Sequence, residues 1–223
     1  MSCHSLFKDR HDAAQQLAQR LQSLRLHHPL ILAIPRGAVP MAYMLAERLG
    51  GELDVVLVRK LGAPCNPEYA IGAVDERGHS EVAPDFPRTD ANLAWIARET
   101  REQLALLRRR RASYGGARPP ADPCGRNVVI VDDGLATGAT MAAALRAVRT
   151  MLPLRLVAAV PVAAPEALQR VRPLADDIVC LHAPPDFGAV SRHYDTFPQI
   201  EEEEVIGILR TSFAQQTSVS QND

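Results

Sequence analysis

The chain has 223 residues, a net charge of −1 and a hydrophobic fraction of 47%. This size and apolar content predict one sizeable domain with a real core. The near-neutral charge excludes a general attraction to nucleic acid or to an anionic membrane. No apolar run is long enough to span a bilayer and no secretion signal is evident, so a cytoplasmic protein without membrane or nucleic-acid partners is expected. The cysteines lack C-x-x-C spacing and are interpreted as reduced thiols: Cys3, Cys65, Cys124 and Cys180.

In the first half of the chain, predicted helices alternate with short apolar strands. Helical spacing of apolar residues predicts helices over residues 9–26 and 39–49, the second ended by two glycines. Buried strands are predicted over residues 30–34, 53–58 and 70–74. The glycine and prolines of residues 62–67 predict a loop between the last two strands.

The second half begins with a long predicted helix, residues 91–111, whose inner face is marked by Leu93, Ile96, Thr100, Leu104 and Leu107. After a connector over residues 115–125, predicted strands and helices alternate again: strands 127–131, 154–162 and 178–181, and helices from 141 to 152 and from Pro165 onward. Residues 1–210 are therefore expected to form a single domain, and residues 211–223 a polar, frayed tail.

Apolar strands separated by helices predict an α/β fold, a Rossmann-like parallel sheet with helices on both faces. Ligands of such sheets bind at the carboxyl ends of the strands. The strand of residues 128–131 ends there in two acids, Asp132 and Asp133. The loop that follows contains Gly138, two threonine hydroxyls and a helix start, an arrangement that suits a phosphate group. The adjacent carboxylates repel each other and call for hydroxyl donors or a cation, such as ribose hydroxyls and Mg²⁺.

Residues 128–140 together resemble the signature of the type I phosphoribosyltransferases, which bind phosphoribosyl diphosphate (PRPP). The resemblance implies that Asp132 and Asp133 contact the ribose hydroxyls and, indirectly, a Mg²⁺ ion. It implies that the 5-phosphate binds the following loop: Ala136, Thr137, Gly138, Ala139 and Thr140. The strings IPRG, VRKLG, PE and AIGAV elsewhere in the chain are similar to a less characterised bacterial branch of this fold.

Two further elements of that family have counterparts here. A pyrophosphate loop after the first strand would place Arg36 and Gly37 against the diphosphate, where arginine can donate two parallel hydrogen bonds. A mobile loop after the second strand would begin with Arg59 and Lys60, which would neutralise the leaving group. Asp132, Asp133, Arg36 and Lys60 are thus the candidate catalytic residues.

The acceptor is not identifiable from the sequence. Ala136 stands where the hypoxanthine/guanine enzymes have an acid, which weakens a 6-oxopurine assignment without selecting another base. A small C-terminal hood over residues 184–198 is the candidate base pocket; its rings either stack on a base or simply pack this segment onto the domain. Its candidate residues are Phe187, Arg192, His193, Tyr194 and Phe197.

Other charged groups are given less weight. Asp75 and Glu76 either meet the substrate or, as favoured here, are solvated loop acids. The arginines of residues 108–111 are interpreted as a solvated face near a helix C-terminus, which also suits a subunit contact in a homodimer.

The resulting hypothesis is a Mg²⁺-dependent phosphoribosyltransferase that passes the 5-phosphoribosyl group from PRPP to a nitrogenous base or amine and releases diphosphate. The alternative is a non-catalytic sensor of PRPP or nucleotides with the same fold.

Overall fold

The computed structural model describes residues 5–64, 66–83, 86–87, 89–115 and 119–219. The helices are α1 (Arg10–Gln22), α2 (Val39–Leu49), α3 (Asp90–Gly115), α4 (Ala139–Arg149), α5 (Pro165–Val171) and α6 (Glu202–Val219). The strands are β1 (Leu30–Ala33), β2 (Glu52–Val55), β3 (Val58–Ala63), β4 (Asn66–Asp75), β5 (Ser80–Val82), β6 (Asn127–Val131), β7 (Arg155–Val162) and β8 (Asp177–His182).

Five strands form the central sheet in the order β2-β1-β6-β7-β8, and every neighbouring pair is parallel. All side chains of β1 are buried, as are the last four of β6. Such continuous burial is typical of a sheet covered on both faces. Helices α1 and α2 pack together against the sheet, and α4 packs against β6, β7 and α5. The predicted Rossmann-like α/β fold is therefore confirmed.

A second sheet is antiparallel and has the order β3-β4-β5; of its strands, the sequence analysis predicted only residues 70–74, which form the second half of β4. The predicted loop over residues 62–67 is wrong, because β3 runs through Ala63 and β4 starts at Asn66. The pairing register shifts on both sides of Gly62, and the indole of Trp95 donates a hydrogen bond to the Gly62 carbonyl at 3.1 Å. The glycine thus marks an irregular point within a strand rather than a loop. Arg59 and Lys60 accordingly lie in β3.

Two long helices cross the outside of this assembly. Helix α3 packs against β3, β4 and α6, and α6 packs against α2 and β2. Leu107 is buried as predicted, but Leu93 is 45% exposed, so the inner face does not extend to the start of α3. The expected frayed tail is also wrong for residues 211–219, which continue α6 and bury Ser212. No helix in the described ranges is long and apolar enough to cross a membrane.

A buried ion cluster joins the second sheet to the edge of the first. Arg111 of α3 bonds Glu76 through two nitrogens, each at 2.5 Å, and Asp54 of β2 at 2.6 Å. Its side chain is only 13% exposed, so the interpretation of residues 108–111 as a solvated face is wrong for Arg111. Burial opposes the charge of Arg111, but the carboxylates of Glu76 and Asp54 outweigh it and raise its pKa.

The two acids at the end of β4, Asp75 and Glu76, are likewise not solvated. Burial is the largest single cause acting on the pKa of Glu76 and raises it, although Arg111 opposes the shift. Asp75 is 3% exposed and accepts hydrogen bonds from the backbone N–H groups of Arg77 and His79, both at 2.9 Å. Both carboxylates therefore stabilise the turn between β4 and β5 and its attachment to the core.

Candidate active site

The signature, residues 128–140, comprises most of β6, the central strand, and the loop and helix start that follow its carboxyl end. Beyond Val131 the backbone stays close to β7, where the Leu135 N–H donates a hydrogen bond to the Val162 carbonyl at 2.9 Å. Gly138 has the left-handed φ of 70° and is the N-cap of α4, with no side-chain capping bond. A Cβ there would also press on the Ala167 carbonyl, so glycine suits this turn on both counts.

This segment lines a concave pocket of about 170 Å³. The pocket is formed by Asp132, Gly134, Leu135, Ala136, Thr137, Gly138, Ala139, Thr140, Met141 and Val190. Five of the predicted phosphate-loop positions thus line the same pocket as the first acid. The start of α4 adds the positive end of a helix dipole, which favours an anion. The Thr137 hydroxyl accepts a hydrogen bond from the Ala139 N–H at 3.3 Å and so shapes the loop.

Asp132 carries a proton more readily than an ordinary aspartate. Burial, and after it the charge of Asp133, raises its pKa well above the usual value, although a hydrogen bond from the Asp133 N–H and the charge of Arg10 oppose this. That N–H donates to Asp132 Oδ1 at 2.9 Å. Hydroxyl donors or a cation would therefore stabilise the ionised form of Asp132.

Asp133 is held by a group absent from the sequence-based list of site residues, the guanidinium of Arg10. The Arg10 Nε and Nη2 both donate to Asp133 Oδ2, at 3.0 and 2.7 Å. The side chains of Arg10 and Asp133 are 10% and 16% exposed. One signal was present in the sequence: a cation in the first turn of a helix opposes the helix dipole and needs another reason to be there.

The loop after β1 approaches the same acids. The Pro35–Arg36 peptide bond is cis. A Cβ on Gly37 would overlap Asp133 Oδ2 and come within 3.2 Å of Arg10 Nη2. The structure therefore brings the predicted diphosphate loop against Asp133, the second signature acid. The Arg36 Nη1 lies 3.7 Å from a carboxylate oxygen of Glu201, and the Arg36 side chain is 32% exposed.

A larger cleft of about 680 Å³ separates α4 from the antiparallel sheet. Lys60 lines this cleft, which meets the phosphate loop at Ala139 and Thr140. It includes neither Asp132 nor Asp133, so the smaller pocket is the better candidate for the ribose phosphate despite its size. The exposed Arg59 lines neither of these pockets. Whether Arg59 and Lys60 bind diphosphate stays a prediction.

The aromatic residues of the predicted hood pack inward. Phe187 and Tyr194 are 6% and 5% exposed, and Tyr194 contacts the rings of Phe7 and Phe197. The Tyr194 hydroxyl donates to the Asp133 carbonyl at 2.7 Å. These contacts agree with a packing role for Phe187 and Tyr194, and they attach the segment to the signature.

Among the described residues, no group of three or more His, Cys, Asp or Glu side chains could hold a metal ion. Cys124 and Cys180 are free thiols, as expected, and burial raises the pKa of Cys180 to about 11. Cys3 and Cys65 lie outside the described residues.

The family model of the phosphoribosyl transferase domain matches residues 6–196, so the chain belongs to the phosphoribosyltransferase family. Two Mycobacterium tuberculosis proteins, from strains CDC 1551 and H37Rv and provisionally named phosphoribosyl transferases, are each 42% identical over 205 residues. The match covers 92% of this chain but 46% of theirs, so the chain spans about half the length of these relatives.

The crystal structure of TT1426 from Thermus thermophilus superimposes with a TM-score of 0.84 at 48% identity. The match covers 91% of this chain and 97% of TT1426. The similarity in fold therefore extends over nearly the full length of both chains.

Proposed function

We propose that the chain transfers the 5-phosphoribosyl group of PRPP to a nitrogenous base or amine and releases diphosphate. The observation that carries the proposal is the shared pocket of Asp132 and the phosphate loop. This pocket lies at the carboxyl end of the central strand, where α/β sheets bind ligands. It combines a carboxylate, which can accept hydrogen bonds from ribose hydroxyls, with a loop at a helix start, which can bind a phosphate.

In the proposed complex, the loop of residues 136–140 binds the 5-phosphate through backbone N–H groups and the dipole of α4. Asp132 and Asp133 accept hydrogen bonds from the ribose hydroxyls and hold the sugar in one orientation. Displacement at the anomeric carbon builds positive charge on the sugar ring, as in glycoside cleavage. Orientation and charge compensation therefore supply most of the required catalysis.

The diphosphate is assigned to Arg36 and Gly37, with Lys60 and Arg59 approaching from β3. Arg36 is partly exposed and its contact with Glu201 is long, so a diphosphate can replace that partner. Gly37 lets the backbone come close to the leaving group.

Mg²⁺ fits this site as an ion brought with the substrate. The described residues offer no cage of three ligands, whereas Mg²⁺ is commonly bound through one or two carboxylates together with substrate phosphates. Asp132, whose pKa is raised by burial and by Asp133, would hold it with Asp133, through ribose hydroxyls or water. When bound, the ion would neutralise charge on the departing diphosphate.

The acceptor would enter beside the hood, residues 184–198, of which Val190 already lines the ribose pocket. Because Phe187 and Tyr194 are buried, the exposed Arg192 and the partly exposed Phe197 are better placed to meet an acceptor. A cytoplasmic location and a homodimeric assembly are part of the same proposal.

Thermal unfolding with and without PRPP and Mg²⁺ tests the binding step. A ligand at about 100 times its Kd stabilises the folded protein by roughly 2.7 kcal/mol, a readily measured shift in Tm. The shift should disappear in Asp132→Asn/Asp133→Asn. It should persist in Asp186→Asn, which changes an exposed acid of the hood segment.

A Tm that PRPP does not change in the wild type would contradict the proposed site. If PRPP binds, release of diphosphate with a panel of bases and amines separates a transferase from a sensor. Turnover with any acceptor supports the transferase, whereas binding without turnover across the panel supports the sensor.

A further inference from the structure

Arg10 and Asp133 are 123 positions apart in the chain and form an ion pair with two hydrogen bonds at the candidate site. Both hydrogen bonds from Arg10 end on Oδ2 of Asp133, at 3.0 and 2.7 Å. Within the described residues, Asp133 Oδ1 accepts no hydrogen bond. One oxygen of this carboxylate is therefore fixed, and the other is available to a hydroxyl donor.

The guanidinium of Arg10 is itself fixed on two other sides. Its Nη1 donates to the Pro198 carbonyl at 2.7 Å, and its central carbon lies 3.7 Å from the centre of the Phe197 ring. A planar group that donates in several directions and stacks on a ring is a property of arginine that lysine does not share.

Asp133 has little freedom to turn away from this arrangement. Gly37 leaves no room for even a methyl group beside Oδ2, and the Tyr194 hydroxyl binds the Asp133 backbone carbonyl. The carboxylate is thus held between α1, the loop after β1 and the C-terminal segment. Such contacts fix the orientation of a side chain that binds a substrate.

We propose that Arg10 is a positioning residue of the ribose site: it fixes Oδ2 of Asp133 so that Oδ1 faces a ribose hydroxyl. Its positive charge also offsets the repulsion between the two adjacent carboxylates. This inference rests on the proposed function, because it assigns Arg10 to the recognition of the same sugar.

Calorimetric titration with ribose 5-phosphate and with its 2-deoxy and 3-deoxy analogues tests the inference. Losing a hydrogen bond to a carboxylate weakens binding by about tenfold or more. The wild type should therefore prefer ribose 5-phosphate over at least one analogue by about that factor. In Arg10→Met the preference should fall towards unity, and in Arg10→Lys it should be intermediate.

Two controls separate positioning from general stability. Arg126→Met removes another partly buried ion pair, with Glu52 at 2.6 Å, at the amino end of β6 and therefore at the opposite end of this strand from Asp132 and Asp133. It should lower Tm and leave the preference unchanged. Because Arg10 acts through Asp133, Arg10→Met should cost no further preference when Asp133→Asn is already present.

An unchanged preference in both Arg10→Met and Arg10→Lys would overturn the inference while leaving the proposed site intact. If Arg10→Met does not fold, an unchanged preference in Arg10→Lys alone overturns it. A wild type that binds none of the three sugar phosphates would instead overturn the proposed function, and the inference with it.

Discussion

At the scale of single residues, the candidate site consists of groups that could meet a ligand and of groups, such as Arg10, that hold them in place. The two acids, the phosphate loop and Gly37 belong to short sequence motifs, and each motif indicates what its residues could bind. Arg10 was missed because its partner lies 123 positions away, and no local pattern connects a helix start with the end of β6. Arg111 was misread for the same reason, since a row of arginines does not show which one turns inward.

Gly37 provides a first test at this scale. In Gly37→Ala, the added methyl group would overlap Asp133 Oδ2, and the carboxylate or the loop must move. We expect PRPP affinity to fall by at least tenfold, since the loss of one hydrogen bond to a charged group costs about 1.5–3 kcal/mol.

The matched control is Gly207→Ala on α6, where nothing lies within 4 Å of the added atom. There, alanine should stabilise the helix by about 0.5–1 kcal/mol and leave PRPP binding unchanged. Equal PRPP affinities for Gly37→Ala and the wild type in calorimetric titration would contradict the close approach.

Asp132 should destabilise the ligand-free protein at neutral pH. Burial and Asp133 raise its pKa in the folded state above the unfolded value of about 3.9. The stability that protonated Asp132 contributes to the fold is fully present below this unfolded pKa and is lost as the pH rises through the folded pKa. Asp132→Asn removes this loss, so its Tm should exceed that of the wild type at pH 8, and the gap should close towards pH 4.

Asp176 should behave with the opposite sign. The hydrogen bond from Arg149 lowers the pKa of Asp176, so its ionised form stabilises the fold above the unfolded pKa. Asp176→Asn should therefore melt below the wild type at pH 8. A gap for Asp132→Asn that stays the same between pH 8 and pH 4 would show that its ionisation is not the cause.

At the scale of elements, the sequence predicted the parallel strands because they are continuous apolar runs, and their helices because apolar residues recur at helical spacing. The antiparallel sheet lacks such a signal, because Gly62 and nearby prolines interrupt its apolar pattern. Hydrogen-bonded pairing between its strands stabilises this sheet instead. Helix α6 was missed because its short apolar run, residues 205–209, lies between an acidic and a polar stretch and shows no clear helical period. Among its residues whose side chains are described, Val205, Leu209 and Ser212 are buried, and packing on α2 and α3 holds the helix. Tertiary contacts therefore decided these elements.

The attachment of the antiparallel sheet depends on Arg111. In Arg111→Met, the carboxylates of Asp54 and Glu76 would remain buried without their cation. Breaking a buried pair in this way costs about 3–5 kcal/mol, measurable as a lower urea midpoint. Arg109→Met changes an exposed neighbour and should stay within about 0.5 kcal/mol of the wild type. Equal midpoints for the two variants would refute the role of Arg111.

At the scale of the whole molecule, the site lies where the central sheet, the antiparallel sheet and the C-terminal segment meet. Hydrogen exchange measures whether the antiparallel sheet takes part in binding. If Arg59 and Lys60 bind the diphosphate, PRPP with Mg²⁺ should slow exchange in β3 as well as in the phosphate loop. Strand β8 serves as the internal reference. Slower exchange in the phosphate loop without any change in β3 would show that the antiparallel sheet takes no part in binding the diphosphate.

The contacts of Arg10 have a further consequence for biosynthesis. Arg10 leaves the ribosome well before its partners Asp133, Phe197 and Pro198. Until residue 198 has been translated, a nascent chain carries an arginine whose stacking and carbonyl partners do not yet exist. The arrangement that holds the sugar phosphate should therefore form only after residue 198 has left the ribosome, and nascent chains that stop before this residue should not sequester the ligand.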